Sequence, residues 1–213
     1  MPSTRRLYSA GKETRDLEVM MEGTAVNVLS LKDSEATRQS VMAGMRSHGW
    51  VHFACHGMQD ADQPLMSGLS LCNGRLELLE IMKQQIPNAD FAFLSASETS
   101  KGDFNLSEEV VHLTAGMLFA GYRGVVGTMW SIPDRDGPAI ATEFYQYLLK
   151  ENGLGGLDSS RAAYALDYAT RTFRERWGNR LEMNMELLAN RERERVEMNL
   201  ALLAWVPYVH FGY

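Results

Sequence analysis

Two apolar runs of the chain end in side chains that could do chemistry. The run 50–57 ends in His56 followed by Gly57, and the run 91–99 ends in small polar residues that include Ser97. A buried strand that delivers a hydroxyl group to its carboxyl end is how α/β enzymes present a nucleophile. A histidine followed by an open glycine N–H supplies a general base and an oxyanion donor from one turn. If the two strand ends meet, they form a candidate active site.

The elements that must position these residues alternate between strands and helices. Apolar runs rich in β-branched or aromatic residues predict strands, Asn73-Gly74 predicts a hairpin turn, and a helical period predicts the helices. The predicted strands cover residues 25–29, 50–55, 68–72, 76–78, 90–96, 124–130 and 205–211, and the predicted helices cover residues 14–21, 36–45, 107–120, 137–148 and 159–177. This order predicts an α/β fold with a mostly parallel sheet and helices on both faces.

Capping residues predict where several helices begin and end. Asp33 and Ser34 are good N-cap residues for the helix that follows them, and Gly178-Asn179 is expected to stop the long helix before it. Residues 1–12 show no period and are expected to be irregular. The charged stretch 181–202, which precedes the last strand, is expected to form a helical insertion.

Each candidate also has a simpler interpretation. An isolated histidine such as His56 is often a satisfied structural residue, and Ser97 lacks the G-x-S-x-G turn of the α/β-hydrolases. Strand alternation points Cys55 away from His56, which favours a buried, inert thiol. A metal site formed by His52, Cys55 and His56 lacks a distant second pair of ligands, and no metal or cofactor is expected.

Length and composition suit one globular domain and exclude several classes of partner. The chain has 213 residues, of which 45% are hydrophobic and 23% charged. Its net charge of −6 means that the chain has no overall excess of basic residues with which to bind nucleic acid or an anionic membrane. Two cysteines without a disulfide spacing pattern, together with the lack of a long apolar span or a signal segment, predict a soluble cytoplasmic protein.

Taken together, the motifs resemble those of the CHAT domains, caspase-like peptidases that are often joined to tetratricopeptide repeats. The resemblance rests on residues 52–57 (HFACHG) and 94–99 (LSASET), with further support from residues 117–126, 129–134, 143–145 and 205–212. It implies that His56 is the catalytic histidine and that Ser97 stands where the family carries its nucleophilic cysteine. It also implies that the N–H groups of Gly57 and residue 97 hold the oxyanion.

The resemblance further implies how a substrate is selected. The end of the strand after the nucleophile strand should form the wall of the S1 pocket, which here consists of Trp130, Ser131 and Asp134, with Asp136 nearby. An acidic group there favours a basic P1 residue. Alternatively, Asp134 and Asp136 only cap the next helix.

Two departures from the family leave the activity open. Ser97 is either an engineered exchange that silences the enzyme or the mark of a natural pseudoenzyme, and the first strand or strands of the full domain are expected to be missing. The first hypothesis is a cysteine endopeptidase domain, residues 13–213, that is inactive here and belongs to regulated proteolysis in cell death or immunity. It would act on a protein substrate, with a regulatory protein partner. A peptide-binding pseudoprotease is the second hypothesis, and a serine hydrolase that uses Ser97 is the third.

Overall fold

The computed structural model describes residues 8–58, 60, 62–98, 107–128, 136–185 and 208–212. Its strands are β1 (Trp50–Met58), β2 (Gly68–Leu71), β3 (Gly74–Glu77), β4 (Phe91–Glu98), β5 (Gly124–Thr128) and β6 (Tyr208–Gly212). Its α-helices are α1 (Tyr8–Met21), α2 (Arg38–Ser47), α3 (Leu78–Met82), α4 (Ser107–Phe119), α5 (Gly137–Asn152) and α6 (Ala162–Met185).

The strands form one mixed sheet in the order β3-β2-β1-β4-β5-β6. The central strands β1, β4 and β5 run parallel, and β2, β3 and β6 join the sheet antiparallel. The predicted α/β class is therefore confirmed, with a parallel centre and antiparallel margins that are consistent with a caspase-like fold. Because β1 and β4 are parallel neighbours, their carboxyl ends lie at the same edge of the sheet.

Two hydrophobic cores lie on opposite faces of the sheet. Phe91, Phe93 and Val126 face the first core, which α1, α5 and α6 cover. Ala92 and Leu94, the alternate residues of β4, face the second core, which α2, α3 and α4 cover. We call these the α5 face and the α4 face. The alternation assigns every residue of β1 and β4 to one of the two faces.

Local signals account for several element boundaries. The Asn73-Gly74 hairpin is confirmed between β2 and β3, with Gly74 at a φ of 128°, a value that favours glycine. Pro138 stands in the first turn of α5, where a missing N–H costs no helical hydrogen bond. For α2 the predicted cap is wrong, since residues 33–35 form a separate short 3₁₀ turn. Instead, Thr37 closes a capping box with Ser40.

Three further expectations differ from the structure. Helix α1 begins at Tyr8, so residues 8–12 are helical and not irregular. Residues 25–29 join no strand of the described sheet: Val26 packs against the core of the α5 face, whereas Val28 and Leu29 are exposed. Helix α6 continues past Gly178-Asn179 to Met185, since one glycine costs a long helix only about 1 kcal/mol. Most of the predicted insertion, residues 186–202, lies outside the described residues.

No described helix combines the length and the apolar character that crossing a membrane requires.

Candidate active site at the carboxyl ends of β1 and β4

The parallel register places the two candidate residues side by side. His56 of β1 and Ser97 of β4 are Cα partners in the ladder, and neighbouring strands lie about 4.8 Å apart. In the backbone register, His56 has the parity of Trp50 and His52, and position 97 has the parity of Phe91 and Phe93. The expected meeting of the two strand ends is therefore confirmed at the level of the backbone.

Gly57 lies inside β1 and not in a loop behind it. The strand continues to Met58 because β2 pairs with both of its last residues, and the register partners of Gly57 are Leu69 on one side and Glu98 on the other. Its N–H therefore points in the plane of the sheet toward a neighbouring strand. The oxyanion role of this N–H stays a prediction.

Just below these positions, a carboxylate that the sequence analysis did not single out connects the two strands. Glu13 of α1 is 3% exposed. Its Oε1 lies 2.9 Å from Nε2 of His52 in β1, and its Oε2 accepts a hydrogen bond of 3.1 Å from Oγ of Ser95 in β4. The hydroxyl of Tyr145 in α5 lies 3.2 Å from Nδ1 of His52. We call Glu13, His52, Ser95 and Tyr145 the Glu13 network.

The donors and acceptors of the Glu13 network match one another. With Glu13 ionised, the Nε2–H of His52 donates to the carboxylate, and Nδ1 of the neutral ring accepts from the Tyr145 hydroxyl. Ser95 gives its proton to the second carboxylate oxygen. The ring of His52 also stacks on Phe93, with 4.9 Å between ring centres. Each of these polar groups thus has a hydrogen-bond partner that offsets the free-energy cost of its burial.

Burial and the charge of Glu13 shift the pKa values of neighbouring groups. Both causes raise the pKa of the Tyr145 hydroxyl, burial being the larger. They also raise the pKa of the Cys55 thiol to about 12. Cys55 packs against the core of the α4 face, opposite to His56. Its thiol therefore stays protonated near neutral pH, as the simpler interpretation of this cysteine requires.

Ser95, the other hydroxyl residue of this parity in β4, is bound differently from a nucleophile. It is 9% exposed, and it donates to a carboxylate. A serine nucleophile needs a base that takes its proton during attack, and it needs access to substrate. Ser95 is therefore a structural member of the Glu13 network, and position 97 is the candidate that lies nearer the strand end.

The predicted substrate residues fall mostly outside the described part of the chain. Trp130, Ser131 and Asp134 belong to the stretch 129–135, which the structure does not describe. Asp136 is described, 5% exposed, at the residue before α5, and its side chain makes no capping hydrogen bond. Burial, then the charge of Glu13, and to a smaller extent the charge of Asp136 raise the pKa of Tyr208.

No group of three or more His, Cys, Asp or Glu suited to a metal ion occurs within the described ranges.

A periodic signal for Glu13 exists in the sequence. Glu13, Leu17 and Met21 are the buried residues of α1, and they repeat every four positions along one stripe. The helix predicted from the sequence begins at residue 14, one residue after Glu13, and therefore leaves Glu13 out. A carboxylate in line with two buried apolar residues is the signal for a buried charge that requires a partner.

Comparison with known proteins agrees with these observations. A search of curated proteins finds no match to the chain. A model of the CHAT domain family matches residues 3–213, which include the two strand ends, the helix that carries Glu13 and the final strand. The chain therefore belongs to the CHAT domain family, whose members are related to the caspase-like peptidases.

Proposed function

We propose that this domain is a caspase-like cysteine peptidase scaffold in which serine occupies the nucleophile position. The observation that carries the proposal is the register of β1 and β4, which pairs His56 with position 97. With a thiol at position 97, the thiolate would attack a peptide carbonyl and His56 would return a proton to the leaving amine. The N–H groups of residues 57 and 97 would stabilise the oxyanion.

Serine at position 97 lowers the expected rate of peptide cleavage and leaves the expected shape of the site unchanged. A thiol ionises near pH 8.5, and a neighbouring imidazolium lowers that value further, whereas a serine hydroxyl stays protonated and depends wholly on its base. The chain as it stands would bind an extended peptide and cut it slowly or not at all. Serine at position 97 also favours the second candidate function, a pseudoprotease that holds a protein segment for a partner.

Specificity would come from the residues after β5. Trp130, Ser131 and Asp134 follow that strand directly, and Asp136 precedes α5. A carboxylate in this position would select a basic P1 side chain by charge pairing. We place the reaction in the cytoplasm, within regulated proteolysis such as cell death or immunity, with a protein as substrate and a protein as activator.

The proposal is tested by returning a thiol to position 97. In Ser97→Cys, the rate of alkylation by iodoacetamide is measured from pH 5 to 10 for each cysteine by peptide mass spectrometry. Exposed Cys72 in the same sample serves as the control for the reagent. Pairing with His56 should lower the pKa of the new thiol by at least one unit, which gives about tenfold more thiolate at pH 6.5.

The second variant makes the dependence on His56 explicit. In Ser97→Cys combined with His56→Ala, the alkylation profile should return to that of an ordinary thiol. Cleavage of candidate proteins, with a partner present, should appear in Ser97→Cys and vanish in the double variant. Identical alkylation profiles in both variants would overturn the proposed dyad. Comparable cleavage by the chain with Ser97 would favour a serine hydrolase instead.

A further inference from the structure

We propose that Glu13 is a positioning residue for the site, because its carboxylate binds one side chain of β1 and one of β4 on the strands that carry His56 and position 97. This inference rests on the proposed function and deepens it. The carboxylate acts through His52 and Ser95, and the consequence is that α1 belongs to the machinery of the site.

The geometry of the strands sets how directly Glu13 acts. His52 precedes His56 by four residues, about 13 Å along β1, and Ser95 precedes position 97 by two residues, about 7 Å along β4. All four positions have the same parity in the backbone register. One oxygen of Glu13 binds each strand, so the carboxylate fixes the spacing of the two strands one alternation below position 97.

Packing alone does not account for a carboxylate at this place. Leu17 and Met21 continue the same stripe of α1 into the core with apolar side chains. A buried charge with its hydrogen-bond partners is often no more stabilising than apolar residues of similar volume, because desolvation offsets the attraction. Unlike a leucine, the carboxylate orients its neighbours, because its hydrogen bonds fix the ring of His52 and the hydroxyl of Ser95.

Docking of α1 would therefore be coupled to the geometry of the site. If α1 leaves the sheet, His52 and Ser95 lose their partner together, and the α5 face opens beside Leu17. A force or a partner that acts on α1 would change the alignment of His56 and position 97 without touching either residue. This coupling would connect the docking of α1 to the alignment of the proposed dyad, His56 and position 97.

The test uses Glu13→Gln, which keeps the shape of the side chain and removes its charge. Two controls lie on the same helix: Glu18→Gln makes the same chemical change at the ion pair with Lys32, and Leu17→Ala weakens the packing of α1 but keeps the carboxylate. Amide hydrogen exchange is measured by mass spectrometry in the chain with Ser97 and in each of the three variants. The three variants are then combined with Ser97→Cys for alkylation profiles.

Glu13→Gln should raise the exchange rates of amides in 56–58 and 94–98 by about tenfold to hundredfold, since a hydrogen bond to a charged group is lost. It should also shift the alkylation midpoint at position 97 toward that of an ordinary thiol. Glu18→Gln should change neither readout. Leu17→Ala should raise exchange in α1 and shift the alkylation midpoint less than Glu13→Gln does, because it keeps the carboxylate.

The two proposals fail separately. If Ser97→Cys has no His56-dependent profile, the proposed dyad is wrong, and exchange at the strand ends still decides whether Glu13 holds them. Unchanged exchange at 56–58 and 94–98 in Glu13→Gln overturns the positioning role. The same result follows if Leu17→Ala shifts the alkylation midpoint as much as Glu13→Gln does, because the effect would then belong to α1 as a whole.

Discussion

Removal of the imidazole from the Glu13 network should destabilise the protein far more than loss of an exposed ion pair. His52→Leu leaves Glu13 buried with Ser95 as its remaining hydrogen-bond donor within the network, and it also removes the contact with Tyr145. A buried charge that loses its partner costs about 3–5 kcal/mol. Because Ser95 still donates, we expect the low end, about 3 kcal/mol.

The reciprocal change and the double variant isolate the interaction itself. Glu13→Leu leaves His52 and Ser95 without their acceptor, and each buried group costs about 1–3 kcal/mol, so we expect about 2 kcal/mol in total after relaxation. In the double variant no charge remains to be solvated, and only Ser95 and Tyr145 lose a partner, so the loss should be about 2 kcal/mol. The two single losses together exceed it by about 3 kcal/mol, which is the expected coupling energy.

Urea denaturation at pH 7, with equal m-values across the four proteins, measures this cycle. The same cycle on Lys12 and Asp16, an ion pair on the exposed side of α1, should give about 0.5 kcal/mol or less. A coupling energy for Glu13 and His52 below about 0.5 kcal/mol, the usual error of additivity, would refute the assignment of a compensated buried charge.

Two further predictions concern alkaline pH and backbone contacts. In the folded protein the pKa of Cys55 rises from 9.0 to about 12, so the unfolded chain releases this proton first and the free energy of unfolding falls between these pH values, by about 1.4 kcal/mol per pH unit from this thiol. Cys55→Ala should flatten that slope in urea titrations at pH 9, 10 and 11, and parallel slopes would contradict the shift. Gly68→Ala should destabilise by more than 2 kcal/mol or prevent folding, because a Cβ there would lie 2.1 Å from the carbonyl oxygen of Leu76. Gly11→Ala, where a Cβ meets nothing within 4 Å, should instead stabilise α1 by about 0.5–1 kcal/mol in the same assay.

The features that the sequence predicts well are those that local pattern determines. The apolar runs at 50–55 and 90–96 have the composition of central strands, and the structure pairs them in parallel as β1 and β4. The hairpin at Asn73-Gly74 follows from a turn that needs glycine. His56 and Ser97 were candidates because of their places at strand ends, and the register brings these two positions together.

The features that the sequence does not predict depend on contacts between distant residues. Glu13 contacts His52 and Ser95 only once the sheet has formed, and no local sequence pattern indicates those partners. The segment 25–29 has the composition of a strand, yet it joins no strand of the described sheet, and Val26 packs against the core of the α5 face. Thr37 replaces Asp33 as the cap because both sides of its capping box are satisfied by Ser40.

The two faces of β1 and β4 explain why a single substitution is a fair test of the proposed chemistry. On the α4 face, alternate residues such as Phe53 and Leu94 pack into an apolar core, and Cys55 holds its proton there. On the α5 face, the Glu13 network keeps a carboxylate and an imidazole buried at a cost that packing alone does not require. Ser97→Cys changes none of the four side chains of the Glu13 network, whose bonds join Glu13 to His52 and Ser95 and join His52 to Tyr145. A scaffold that orients the two strands should therefore give a reactive thiolate in Ser97→Cys, and it should lose that thiolate when the charge of Glu13 is removed.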